Sequence, residues 1–147
     1  MPGNPKETTM ELSRYDLAWI LRRCPSPVLE LMKRHPANLF LAGGFIRSVI
    51  ATEPVNDIDM FASSKDLARA YAEELAKGEK MYETDNAFTV KVGKVPVQFI
   101  HRWTFDNVES LIGSFDFTIA GAVVWYDLKW QTQCLDAFYP DLAAKRL

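Results

Sequence analysis

A mixed α+β fold, one sheet of about five strands flanked by helices, is what this sequence predicts, and three observations carry that reading. The 147 residues are 48% hydrophobic and 24% charged, the balance of one ordinary domain with a single core. Between residues 38 and 77 short apolar runs alternate with helical patterns, strand, helix, strand, helix. From Lys80 onward β-formers dominate, with no linker, repeat or low-complexity tract to mark a second unit. The chain therefore reads as a single domain over 1–147, with a core at 38–147 preceded by a helical extension at 1–37.

In chain order, Thr8 and Glu11 have capping-box spacing, and Leu12, Leu17, Trp19, Ile20 and Leu21 supply an apolar helical stripe that Pro25 ends. Ser26-Pro27 is an N-cap with proline at the first helical position, opening a short helix that stops before Pro36. Residues 38–42 are a short apolar run closed by Gly43-Gly44, hence a buried strand followed at once by a helix over 45–51. Residues 56–61 form the next strand, and Ser63-Ser64 cap a helix reaching Lys77. The runs 88–92 and 95–100 face each other across Gly93-Lys94 as a hairpin. Thr104 caps a short helix to 112, a β-rich run spans 115–126, residues 133–138 add a last strand, and 141–146 a terminal helical turn.

Composition narrows the function. A formal charge of −2 and a sequence pI of about 5.7 exclude recruitment of nucleic acid by bulk positive charge and favour small, already charged substrates. Cys24 and Cys134 lie far apart with no zinc-like spacing, so free, reduced thiols are expected. No stretch approaches the roughly 18 apolar residues of a membrane span, and the first residues lack the apolar core of a signal peptide. A cytoplasmic protein without membrane partners is the expectation.

Two short motifs carry chemistry. In an extended strand, residues two apart share a face about 6.5–7 Å from each other, which places Asp57 and Asp59 on one side and Ile58 and Met60 on the other. Neighbouring carboxylates repel unless a cation lies between them, and Mg2+ (or Mn2+) takes hard oxygen ligands of this kind. Solvated residues on an edge strand are the alternative. At Gly43-Gly44, a strand turns directly into a helix whose first N–H groups are free to meet an anion, and Arg47 lies about one turn further on. A plain tight turn with a surface arginine is the alternative there.

Gly43-Gly44-Phe45-Ile46-Arg47, nine intervening residues, and Asp57-Ile58-Asp59 together resemble the active-site signature of the DNA polymerase β-like nucleotidyltransferase superfamily, with the closest likeness to the head domain of class II CCA-adding enzymes and bacterial poly(A) polymerases. The resemblance implies that Asp57 and Asp59 bind catalytic magnesium and that Gly43, Gly44 and Arg47 bind the triphosphate of a nucleoside triphosphate. Asp116-Phe117-Thr118-Ile119 resembles that family's ribose-recognising segment, and 141–146 the approach to its neck. The sequence departs from the pattern at Ser48, where an aspartate is usual, at Ser114-Phe115, where paired arginines are usual, and at Ala120. The superfamily's third carboxylate has Gln98 as its counterpart on the strand 95–100, with Asp116 as a second candidate. A glutamine oxygen can coordinate a metal but can neither neutralise it nor accept a proton from an attacking hydroxyl.

The implied function is metal-dependent transfer of a nucleotidyl group from a nucleoside triphosphate to an RNA end, a protein or a small molecule. The alternative is a catalytically silent relative that holds a nucleotide or a partner protein as a regulatory or antitoxin-like subunit. Of the remaining residues, His35 is expected to meet a helix dipole, Arg102 either a phosphate or solvent, and Trp19, Trp103, Trp125 and Trp130 to pack in or beside the core.

Overall fold

The computed structural model describes residues 9–102, 104, 105, 111 and 121–146. Eight strands form one mixed sheet: β1 (Thr9–Met10), β2 (Leu39–Ala42), β3 (Ile58–Ala62), β4 (Tyr82–Glu83), β5 (Ala87–Val92), β6 (Val95–Ile100), β7 (Ala122–Asp127) and β8 (Lys129–Leu135). Their order across the sheet is β1-β8-β7-β2-β3-β6-β5-β4, and every neighbouring pair is antiparallel except β3 with β6. The described helices are α1 (Arg14–Arg23), α2 (Ser26–Arg34), α3 (Gly44–Ile50), α4 (Lys65–Ala76) and α5 (Phe138–Arg146). The α+β class and the alternation through α4 follow the sequence reading. The strand count rises from about five to eight because two edge strands of two residues each, β1 and β4, are too short to show periodicity, and because the terminal β-rich region folds into the hairpin β7–β8.

Several local assignments change: β3 starts at Ile58, which leaves Asp57 before it; β8 spans Lys129–Leu135 rather than 133–138, with Phe138 opening α5; and the starts of the two N-terminal helices shift as well. Thr9 and Met10 pair with Leu135 and Cys134 as a strand rather than opening a helix; α1 starts later, where Ser13 accepts the Asp16 N–H. Pro25, not Ser26, is the residue before the first turn of α2. Ser64 caps α4 as its sequence suggests, accepting the Leu67 N–H at 3.1 Å, an interaction of about 1 kcal/mol.

Strand alternation sorts the sheet into two faces. Leu39, Leu41, Ile58, Met60, Ala62, Val97 and Phe99 point toward the helices and join Ile20, Val28, Leu31, Ile46, Val49, Tyr71 and Leu75 in one core. The N-terminal helices α1 and α2 contribute to that same core through Ile20, Cys24, Val28, Leu31 and Met32. Phe88, Phe99 and Phe138 are among its fully buried large side chains, and truncating any of them to alanine costs about 3–5 kcal/mol. The opposite face carries a smaller cluster, Phe40, Ala42, Phe61, Leu111, Val123 and Leu135, with Ile100, Phe105 and Trp125 against it. Because β2 is buried on both sides, it forms the spine between the layers.

Candidate metal and nucleotide site

The site lies on the second face, where the strand registers line residues up across the sheet. Val123 on β7 is the partner of Ala42 on β2, Ala42 of Asp59 on β3, Asp59 of Gln98 on β6, and Gln98 of Thr89 on β5. Registered partners share a face, so Asp59, Gln98 and Thr89 form a polar half-row with strand spacings of about 4.8 Å. The parallel row two residues along is apolar, Trp125, Phe40, Phe61, Ile100 and Ala87, and makes a dry floor beside it. Asp57 lies immediately before β3, close enough for its charge to act on Asp59.

Asp59 is a strained place for a carboxylate. Its Oδ1 is out of solvent and has no hydrogen-bond partner in the protein. Burial, and secondarily the Asp57 charge, push its pKa up to about 6. A buried, unsatisfied acceptor beside a second negative charge is costly, and a divalent cation removes both costs at once. The donor set therefore fits a hard metal ion held by Asp57 and Asp59, with the Gln98 amide on the next strand as a neutral neighbour. Among the described residues no group of three or more histidines, cysteines or acidic residues comes together. Asp116 lies outside the described residues.

Gly43 and Gly44 serve different ends. Gly43 has φ 88° and ψ −151°, a conformation essentially confined to glycine, and it lets β2 turn into α3 within one residue. A Cβ built on it would stand 3.5 Å from Asp59 Oδ2, ordinary contact, so backbone geometry rather than space demands glycine there. Gly44 has no such constraint: a Cβ on it would meet nothing within 4 Å, which leaves open room over the start of α3. Phe45, Ile46 and Val49 fasten α3 to the helical core and fix this turn above the end of β2.

Arg47 is engaged elsewhere. Its guanidinium pairs with Glu53 Oε1 at 2.5 Å, across the loop in which Thr52 closes the helix at φ 55° and the Glu53 N–H donates to the Ser48 carbonyl. Ser48, at the position where an aspartate is usual, is buried. Arg102 lies just past the end of β6, its N–H donating to the Asn86 carbonyl. His35 caps the end of α2, but its main partner is Glu74 Oε1 at 2.7 Å. Burial alone would raise the Glu74 pKa; hydrogen bonds and charge from His35 and Arg34 outweigh it and hold the carboxyl low. Both cysteines are free and buried. Trp125 and Trp130 pack against Phe40 and Tyr126, whereas Trp19 is exposed, contrary to expectation. Trp103 lies outside the described residues. Thr89 was not singled out by its sequence, yet the Gly93-Lys94 turn fixes it opposite Gln98, and counting back from that turn finds it.

Comparison with known proteins decides the family. The family profile described as Gabija anti-defense 2 family protein matches residues 11–145, nearly the whole chain. The chain belongs to the Gabija anti-defense 2 family. Gabija anti-defense 2 of Bacillus phage SPbetaL7 is 32% identical over 95 residues, which are 63% of this chain and 23% of that protein. The chain thus matches under a quarter of its curated relative's length. Among solved structures, a CCA-adding enzyme with CTP superposes with a TM-score of 0.64 at 17% identity, covering 95% of this chain and 35% of the enzyme. The Thermotoga maritima CCA-adding enzyme complexed with tRNA gives 0.63 at 16% identity over 94% of this chain and 35% of the enzyme. A tRNA nucleotidyltransferase complexed with a primer tRNA and an incoming ATP analog gives 0.58 at 20% identity, over 72% of this chain and 33% of that one. At these identities the likeness establishes the fold: this Gabija anti-defense 2 family chain has a nucleotidyltransferase-like architecture. No described helix is long and apolar enough to cross a membrane.

Proposed function

We propose that this chain is a metal-dependent nucleotidyltransferase of the head-domain type, acting in the cytoplasm on a nucleoside triphosphate and an acceptor that is an RNA end, a protein or a small molecule. The observation that carries the reading is the Asp57/Asp59 pair: a buried carboxylate oxygen without a partner, on a nucleotidyltransferase-like sheet, facing the turn at Gly43-Gly44. Asp57 and Asp59 would hold Mg2+ or Mn2+, which would screen the triphosphate and stabilise negative charge on the phosphoryl oxygens and the departing pyrophosphate. The first N–H groups of α3 would meet the phosphates, for which the open space at Gly44 leaves room. The acceptor attacks the α-phosphorus and pyrophosphate departs, so the protein's part is positioning and charge stabilisation. Arg47, paired with Glu53 through one guanidinium nitrogen, would share or exchange that partner to meet the triphosphate. The family's name supports a role in countering Gabija defence, and the transfer is proposed as its means.

The direct test is incubation with each labelled nucleoside triphosphate and candidate RNA, protein and small-molecule acceptors, with Asp57→Ala as control. Label transfer that requires metal and Asp57 is the expected result; transfer that persists without both aspartates refutes the assignment. A second reading, a silent nucleotide- or partner-binding relative, is favoured by Gln98 standing in register with Asp59 and by the Arg47–Glu53 pair. It predicts binding of a nucleotide or of a partner protein with no transfer to any acceptor.

A further inference from the structure

The outer face of α1 carries side chains that the core does not use. Ile20 is completely buried and Leu17 packs partly against the core, so the inward side of this helix is satisfied. On the other side, Tyr15, Ala18, Trp19 and Arg22 follow the i, i+3, i+4, i+7 spacing of one stripe. Tyr15 is 84% and Trp19 51% exposed, and they are two of the five large apolar or aromatic side chains found exposed among the described residues. Arg22 lies over the Trp19 ring, 5.9 Å from its centroid. Arg14 and Arg23 are also exposed, while the only acid within the helix, Asp16, is occupied by the Tyr139 hydroxyl.

We propose that this stripe is a docking surface for a partner protein whose contact face is acidic. Trp, Tyr and Arg are the residue types that dominate binding energy at protein interfaces, and here they share one rigid helix. The excess of arginine sets the sign of the partner. A single-stranded nucleic acid is disfavoured as occupant because the chain as a whole carries −2. The surface is independent of Asp57 and Asp59; its assignment to a protein of the Gabija system rests on the anti-defence role proposed above.

The test is surface binding of the purified full chain to the purified Gabija defence proteins, singly and together, alongside Trp19→Ala, an Arg22→Glu/Arg23→Glu double variant and Asp59→Asn. The expected result is binding that weakens as salt rises and drops at least about tenfold in the two α1 variants, with circular dichroism unchanged and Asp59→Asn binding like the wild type. Failure of the wild type to bind, or binding indifferent to the α1 variants, overturns the proposal. So does loss of a wild-type dimer, or of single-stranded RNA binding, in the same variants, since a second copy or a nucleic acid is then the occupant. Failure of the transfer assay with this binding intact counts against the enzymatic reading alone.

Discussion

Asp59 concentrates the conflict between stability and function in one side chain. It is an acid whose folded-state pKa lies above its ordinary value, so the native state holds its proton more tightly than the unfolded chain does. Ionising it therefore costs stability, and the cost grows as pH rises from about 4 to 6 and then levels off. The separation corresponds to on the order of 3 kcal/mol before solvent screening at this half-buried site reduces it. Denaturant midpoints measured from pH 4 to pH 7.5 check this: without metal, wild type loses stability over that range relative to Asp59→Asn. Parallel pH profiles for the two proteins would show that the carboxylate is not penalised. The same residue scale tests Gln98. Gln98→Glu adds a carboxylate beside Asp59 in register and strengthens Mg2+ affinity severalfold in a metal titration; no change, or weaker binding, means that Gln98 does not border the metal.

At the scale of elements, what the sequence revealed and what it hid have separate physical causes. Residues 38–42 were legible because an apolar run closed by glycine is a local signal; of the Asp57/Asp59 pair, strand alternation placed Asp59 within β3, whereas Asp57 precedes the strand. The β1–β8 pairing was not legible, since two residues carry no period and their partners lie more than 120 positions away. Arg47 shows a similar limit: its spacing from Gly44 was plain, but the ion pair with Glu53 depends on a loop closed by Thr52 in a left-handed conformation. Gly43-Gly44 reads as one motif yet divides into a backbone requirement and an open space. That division predicts opposite outcomes. Gly44→Ala leaves folding intact or raises stability by up to about 1 kcal/mol, because Ala suits a helix and meets no obstacle, while weakening nucleotide binding. Thermal melts and nucleotide titrations on the one variant check both halves; unchanged affinity would remove Gly44 from the binding site.

For the whole molecule, one sheet divides two tasks. Its helical face holds the large core, to which α1 and α2 contribute their inward sides, and its other face sets a polar row of Asp59, Gln98 and Thr89 beside an apolar one. The row is a product of strand order, with β3 and β6 parallel neighbours although 32 residues lie between Ala62 and Val95, so the sequence offered its members without their arrangement. The central claim is that this arrangement is a metal-dependent nucleotide site. Isothermal titration of nucleoside triphosphates, with and without Mg2+, into wild type and Asp57→Ala tests it most directly. Binding that requires both Mg2+ and Asp57 is the predicted result; binding of equal strength without the metal, or in the variant, would contradict it.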